Sequence, residues 1–308
     1  MEHLQEMSFS ARVKKELGDL PLGTTCCAMA EAYGALLYAS RFSFDAIQIT
    51  TASNFVGERL EGLFAKAFGL DFDSVKLSAA ATRQSYLIES PEKIAQITDQ
   101  LGYDEKTHLA HTINLALLEA SCCIPAFLRG AFLTGGAVTD PLKTYHLELV
   151  TRHQGVSRGM MAMLGELGFA PKMTMRRGNA AVYFKKSEAI EDFLTNIGAS
   201  GMALLHMTTK VEKHMKNAVQ RKVNCDAANV EKSVIAAEMQ LLAIRKIETH
   251  IGLESLPEKL YQTAILRVVN PEANLGELAE LADPPVTKSC MSHRLKKIIM
   301  IGESTHAH

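Results

Sequence analysis

The stretch CCIPAFLRGAFLTGG, residues 122–136, repeats an earlier one, CCAMAEAYGALLYAS, residues 26–40, at an offset of 96. At that offset Cys26/Cys122, Cys27/Cys123, Ala30/Ala126, Gly34/Gly130, Ala35/Ala131 and Leu37/Leu133 are identical. The match resumes at Glu92/Glu188, Ile94/Ile190 and Gly102/Gly198, so one unit is written twice. Each copy opens with an apolar helix rich in small residues. A β-rich stretch follows (44–52 and 143–151), then a helix with i, i+3, i+4 apolar spacing (54–68 and 153–167). Two further strands come next, VKLSAAA and QSYLIES in the first copy, KMTMRR and AAVYFKK in the second. PEKIAQITDQLG and SEAIEDFLTNIG close the copies as helices. The pattern predicts the order αββαββα twice. Gly34 and Gly130 lack a Cβ, which lets the two opening helices approach closely across a pseudo-two-fold axis.

Composition sets the frame. The chain has 308 residues, is 47% hydrophobic and carries a formal charge of −1, enough apolar content for two or three domains. No apolar run approaches 18 residues and the N-terminal stretch lacks a signal-peptide core, so the expectation is a cytoplasmic protein with no membrane contact. The six cysteines include two adjacent pairs, which point along different helix faces and read as buried small hydrophobes. No C-x₂-C pairing suggests zinc, so no metal or cofactor is expected. His108 and His111 stand one helical turn apart and read as an ordinary surface pair.

The last hundred residues carry a different signal. Between His206 and Asn224, Lys213, Asn217, Arg221 and Asn224 form one polar stripe on a helix, able to meet phosphate or simply a solvated face. Val230, Val234, Ala237, Leu241 and Ile244 then make an amphipathic helix ending near Gly252, which must pack on something. Three short helices follow: PEKLYQTAILRVV from Pro257, LGELAELA, and TKSCMSHRLKKII with Thr287 as its N-cap. In the last, Met291, Leu295 and Ile298 point inward, and no acid occurs between Pro284 and Ile301. This is the layout of a helix-turn-helix with a longer turn than usual. On that geometry Lys288, Ser289, Ser292 and His293 are assigned to base readout, and Arg294, Lys296 and Lys297 mainly to the phosphate backbone. Thr287 completes this DNA-binding set. A three-helix module for protein contacts remains the alternative.

LRGAFLTGG, residues 128–136, and AYGALLYAS, residues 32–40, resemble degenerate LAGLIDADG motifs, and the element order is that of two-repeat homing endonucleases. Such enzymes hold divalent metals with the penultimate acid of each motif. Here those positions are Ala39 and Gly135, so no catalytic residue is assigned. Asp45 and Asp140, a few residues on, read as turn formers rather than substitutes. Together with MSFSARVKKEL (7–17), NAVQRKVNCDAAN (217–229) and LADPPVTKSCMSHRLKKI (281–298), these motifs resemble the bacterial WhiA family over residues 7–302. The MSFS match suggests that translation of related chains starts near Met7.

The resemblance implies an α+β fold: a duplicated αββαββα LAGLIDADG-like domain followed by an all-α helix-turn-helix domain. The expected boundaries are 7–104 and 105–202 for the repeats, 203–252 for linker helices and 253–302 for the helix-turn-helix. It implies a non-enzymatic regulator tied to sporulation or cell division, nucleoid-associated, whose partners are promoter double-stranded DNA and a sigma factor, another regulator or a division protein. Family members commonly place Asn before Arg in the linker motif, whereas Gln220 precedes Arg221 here, leaving Arg221 as the carry-over. The family's saddle is often acidic, and an acidic body here would not grip DNA by itself. An active endonuclease and a scaffold for division proteins stay open as alternatives.

Overall fold

The computed structural model describes residues 7–78, 82–104 and 111–304. Helix α1 (Phe9–Gly18) starts at Ser8, whose Oγ accepts from the Ala11 amide at 3.2 Å, and buries Phe9, Val13 and Leu17 at i, i+4 spacing. The first repeat follows as α2 (Thr25–Leu37), β1 (Arg41–Phe42), β2 (Ile47–Thr51), α3 (Asn54–Phe68), β3 (Ser74–Leu77), β4 (Gln84–Ile88) and α4 (Pro91–Gln100). After a 3₁₀ turn at Leu115–Leu118 the second repeats the order: α5 (Cys123–Gly135), β5 (Gly136–Val138), β6 (Leu147–Thr151), α6 (Gln154–Glu166), β7 (Lys172–Arg176), β8 (Asn179–Phe184) and α7 (Ser187–Asn196).

Each repeat thus folds as αββαββα. The sheets are antiparallel with matching orders, β1-β2-β4-β3 and β5-β6-β8-β7. β2 alternates buried and half-buried residues, and its buried Ile47 and Ile49 face Ile88 and Tyr86 of β4 across the ladder. The pairing of Leu147 with Phe184 and Leu149 with Val182 reproduces this in the second sheet.

The opening helices cross where the small residues predict. A Cβ on Gly34 would drive into the Phe127 carbonyl, and one on Gly130 into the Glu31 carbonyl. Phe127 and Glu31 are themselves 96 residues apart, so the contact is reciprocal, as a two-fold demands. Gly102 and Gly198, another pair at that offset, follow α4 and α7 with φ of +71° and +99°, a conformation that favours glycine. A charged network pins the crossing: Glu31 of α2, buried, accepts from Arg59 Nη2 of α3 and from Arg129 Nε of α5, both at 2.9 Å.

Two expectations about elements are corrected. The β-rich stretches at 44–52 and 143–151 supply only the second strand of each sheet; the first, β1 or β5, emerges directly from the end of the opening helix. Two or three residues are too few to show a period of two in sequence. The region expected as separate linker helices is one helix, α8 (Ser200–His250). Its first amides, Gly201 and Met202, are capped by the Glu16 carboxylate at 2.7 and 2.8 Å.

The chain divides into two compact units, residues 1–213 and 214–308, with the division inside α8. The second unit continues through a 3₁₀ turn (Leu253–Ser255), α9 (Glu258–Val269), α10 (Leu275–Glu280) and α11 (Lys288–Ser304). Its own core joins Ile244 and Ile247 of α8 to Leu260, Ala264, Leu278, Met291, Leu295 and Ile298. Of the amphipathic face expected on α8, Ala237 and Ile244 are buried while Val230 and Val234 stay exposed at 63% and 52%. Among the described residues, no helix is long and apolar enough to cross a membrane.

Candidate nucleic-acid interface

The three helices of the second unit are held by local chemistry written in their loops. Asn274 and Glu277 form a reciprocal capping box that starts α10: the Asn274 side chain accepts from the Gly276 and Glu277 amides, and Glu277 accepts from the Asn274 amide. Arg267 is buried and donates to the carbonyls of Asn270, Pro271 and Ala273, which fixes the bend from α9 into α10. Burial lowers the pKa of its guanidinium. The turn into α11 is pinned by the Val286 amide on the Ala279 carbonyl at 2.9 Å. Thr287 then caps α11, its Oγ1 accepting from the Cys290 amide at 3.2 Å.

α11 buries Met291, Leu295, Ile298 and Gly302, the face the sequence predicts. At 100° per residue, Ser289, His293, Lys296 and Lys297 lie on the opposite arc, and all four are exposed. Lys288, exposed, and Ser292, half-buried, stand at one edge of that arc. Arg294 stands at the other edge, where it lines a groove of about 460 Å³ with Tyr261, Leu266 and Asp283. Seven residues of the set thus stand on or at the edges of the arc of α11 away from the core, with Arg294 on the flank away from Lys288 and Ser292; the eighth, Thr287, precedes the helix with its hydroxyl occupied as a cap. On the neighbouring flank Lys288 borders a groove of about 830 Å³ together with Asn229, Glu238 and Glu277.

The linker candidates are spread differently. Residues 214–235 of α8 are all exposed, so Asn217, Arg221 and Asn224 present their side chains to solvent. Asn224 Oδ1 accepts from Gln220 Nε2 at 2.8 Å, one turn earlier. Lys213 is instead tied to its own unit: its ammonium donates to the Pro141 and Lys143 carbonyls at 3.1 Å and lies over the Tyr145 ring.

In the first unit the positions of the missing acids are sealed. A Cβ on Gly135 would stand 2.6 Å from the Val150 carbonyl and 2.5 Å from Tyr38 Cδ1, and Ala39 is buried. Asp45 bonds Arg41 and Ser43 within the β1–β2 turn, and Asp140 accepts from the Leu142 amide at 2.9 Å within the β5–β6 turn. Both are turn formers, as their spacing predicts. Three exposed cations of the first unit have acid partners: Arg41 meets Asp45, Lys76 meets Glu89, and Arg176 meets Glu148.

The histidine and cysteine expectations change. His108 lies outside the described residues. His111 is half-buried, donates from Nε2 to the Phe42 carbonyl at 2.8 Å, stacks on the Phe42 ring and meets His153 edge-on. It is thus a packing residue, not a surface one. Cys26 and Cys122 are exposed and only Cys123 is buried, so the four are not a buried hydrophobic group. Sγ atoms of Cys26, Cys27 and Cys122 lie within 4.8 Å of one another. The signal was present: equivalent residues of a duplicated unit meet at its two-fold even when far apart in sequence.

The comparisons agree with this architecture. The family model described as WhiA LAGLIDADG-like domain matches residues 124–216, and the WhiA C-terminal HTH domain matches residues 219–301. The Probable cell division protein WhiA of Alkaliphilus metalliredigens is 33% identical, covering 96% of this chain and 98% of its own length. That of Desulfitobacterium hafniense (strain Y51) is 35% identical, covering 96% of both. The crystal structure of full-length DUF199/WhiA from Thermatoga maritima superimposes with a TM-score of 0.57 at 24% identity, covering 97% of this chain and 99% of that one, a likeness of fold. With two αββαββα repeats, a three-helix unit and full-length relatives above 30% identity, the chain belongs to the WhiA family.

Proposed function

We propose that this chain is a sequence-specific double-stranded DNA-binding regulator linked to cell division or sporulation. One observation carries the reading: α11 offers Ser289, His293, Lys296 and Lys297 on one exposed arc, edged by Lys288 and Ser292, without an acid from Pro284 to Ile301. Short polar side chains at the start of a recognition helix reach base edges, and cations beside them hold phosphates. Lys288, Ser289, Ser292 and His293 are the proposed readers, and Lys296 and Lys297 the backbone contacts. Arg294 reaches phosphate from the other flank. Arg221 and the neighbouring Asn217 and Asn224 add a second contact row on α8. The expected domain boundaries serve this division of labour, with residues 253–302 reading DNA and the repeats accessory.

A non-enzymatic body is supported by chemistry and by space. Metal-assisted phosphodiester cleavage needs carboxylates on the cation. Gly135 has no room for a side chain and Ala39 is apolar. The relatives named as probable cell division proteins support the process assigned, and a nucleoid location follows from the DNA-binding role.

Selection from random duplex DNA tests the reading directly. The full chain should enrich one motif, and Ser289→Ala or His293→Ala should relax preference at single base pairs by about 1–3 kcal/mol. Enrichment of no motif would contradict it. Incubating supercoiled plasmid with the chain and Mg²⁺ should leave it uncut; nicking would restore the endonuclease reading.

A second reading, a scaffold for a division protein, is favoured by one observation. Met215, Val219, Val223 and Val230 on α8 are each more than half exposed, a row of apolar side chains facing solvent. It predicts a partner retained by a variant that no longer binds DNA.

A further inference from the structure

The duplicated unit brings together four thiols that neither the sheets nor the helix-turn-helix uses. Cys26 and Cys27 lie in the first turn of α2; Cys122 is the N-cap residue of α5 and Cys123 its first residue. Cys26 and Cys122 are equivalent positions, and their Sγ atoms are 4.0 Å apart. The Cys27 thiol points at the Cys122 carbonyl from 3.8 Å. All three sulfurs of Cys26, Cys27 and Cys122 fit within 4.8 Å, and Cys26 and Cys122 are open to solvent.

Spacing separates the two chemistries such a cluster can have. A disulfide holds its sulfurs at about 2.05 Å. A tetrahedral cation with metal–sulfur bonds of about 2.3 Å holds them about 3.8 Å apart. The observed 4.0 Å is close to the second value. We propose that Cys26, Cys27 and Cys122 form a three-thiolate site for a thiophilic divalent cation, zinc, which clamps the starts of the two repeats' opening helices together. The fourth position of the tetrahedron is left to water, the open arrangement zinc takes with three protein ligands.

Uptake of the cation balances without redox chemistry: three thiols lose three protons to solvent as three metal–sulfur bonds form, with no change of oxidation state. Both helix N-termini also favour the negative sulfurs.

The test uses the full chain, reduced with a phosphine and freed of metal. Zn²⁺ is titrated in competition with a chromogenic chelator, and Co²⁺ is substituted to read thiolate ligation from its charge-transfer absorption. The expected result is one equivalent per chain, a thiolate-type cobalt spectrum, and a rise of about 5–10 °C in the unfolding midpoint at roughly 100-fold excess over Kd. Cys26→Ser/Cys122→Ser should lose all three signals while unfolding like the metal-free parent in chelator. Cys225→Ser/Cys290→Ser, which alters two cysteines of the second unit, should keep them. Absence of stoichiometric uptake by the reduced parent would overturn the proposal, as would equal uptake by the Cys26/Cys122 variant. A Cys26–Cys122 disulfide forming in air in a chain that refuses zinc when reduced would replace it with a redox pair. None of these readouts depends on DNA binding.

Discussion

Replacing Glu31 by Gln should unfasten the two repeats. The Glu31 and Arg59 side chains are each 1% exposed, and Arg129 from the second repeat is 14% exposed, so the carboxylate balances two cations largely removed from water. Removing one partner of a buried pair costs about 3–5 kcal/mol because an uncompensated charge stays behind. Here the guanidiniums keep carbonyl acceptors, Arg59 Nη1 on Leu20 and Arg129 Nη1 on Ile197 at 3.0 Å, which satisfy N–H groups but not charge. Glutamine also preserves shape and one acceptor oxygen. The loss should therefore fall at the lower end, about 3 kcal/mol, out of the roughly 5–15 kcal/mol that stabilises a domain. For a unit of this size it corresponds to a drop of about 6–12 °C in the midpoint. Differential scanning calorimetry and urea unfolding of the full chain read it. Arg41→Gln, which breaks an exposed pair whose side chains are 51% and 69% accessible, is the control and should change stability by less than about 1 kcal/mol. A Glu31→Gln loss no larger than that control would refute the claim that this network fastens the repeats.

Gly130→Ala places a methyl against the Glu31 carbonyl, a backbone group that cannot swing aside, and should cost about 1–3 kcal/mol in urea unfolding. Thr287→Ala removes the cap of α11 and should cost about 1 kcal/mol in the second unit, visible as faster amide exchange at Cys290. Acid should weaken the first unit. Burial, then His111 and Arg152, lower the His153 pKa to about 4, and burial lowers that of His206 despite its bond to Glu191. Both imidazoles are protonated more readily in the unfolded chain, so stability present above pH ~6.5 is lost as pH falls toward about 4. His153→Asn should flatten that slope, and an unchanged slope would show that His153 does not carry it.

The fold was legible because duplication is a global signal. A 96-residue offset, small residues at one helix crossing and matched Gly102 and Gly198 required no exact boundaries. The inward face of α11 was legible for the same reason, since Met291, Leu295 and Ile298 keep helical spacing. What stayed hidden is what a one-dimensional pattern does not encode. β1 and β5 are too short to show a period, and they follow helices whose last residues look no different. Nothing in the sequence around Lys213 announces the Pro141 and Lys143 carbonyls about seventy residues earlier. Glu31 could have been suspected, as a lone acid inside an otherwise apolar helix, but its partners come from two other helices. Adjacent cysteines diverge along each helix, whereas equivalent ones converge across the two-fold, a meeting that local spacing does not encode.

The arc on α11 is the proposed reader of duplex DNA. The most direct test measures binding of the full chain to its selected duplex across a salt series, for the parent and for Lys296→Ala/Lys297→Ala. Each phosphate contact contributes about 0.9 to the slope of log K against log salt, so losing two should make the slope shallower by about 2 and weaken binding to all sequences alike. A parent whose binding falls steeply with salt, and a double variant with that slope reduced, is the expected result. Unchanged affinity and slope in the double variant would place the DNA contact elsewhere and contradict it.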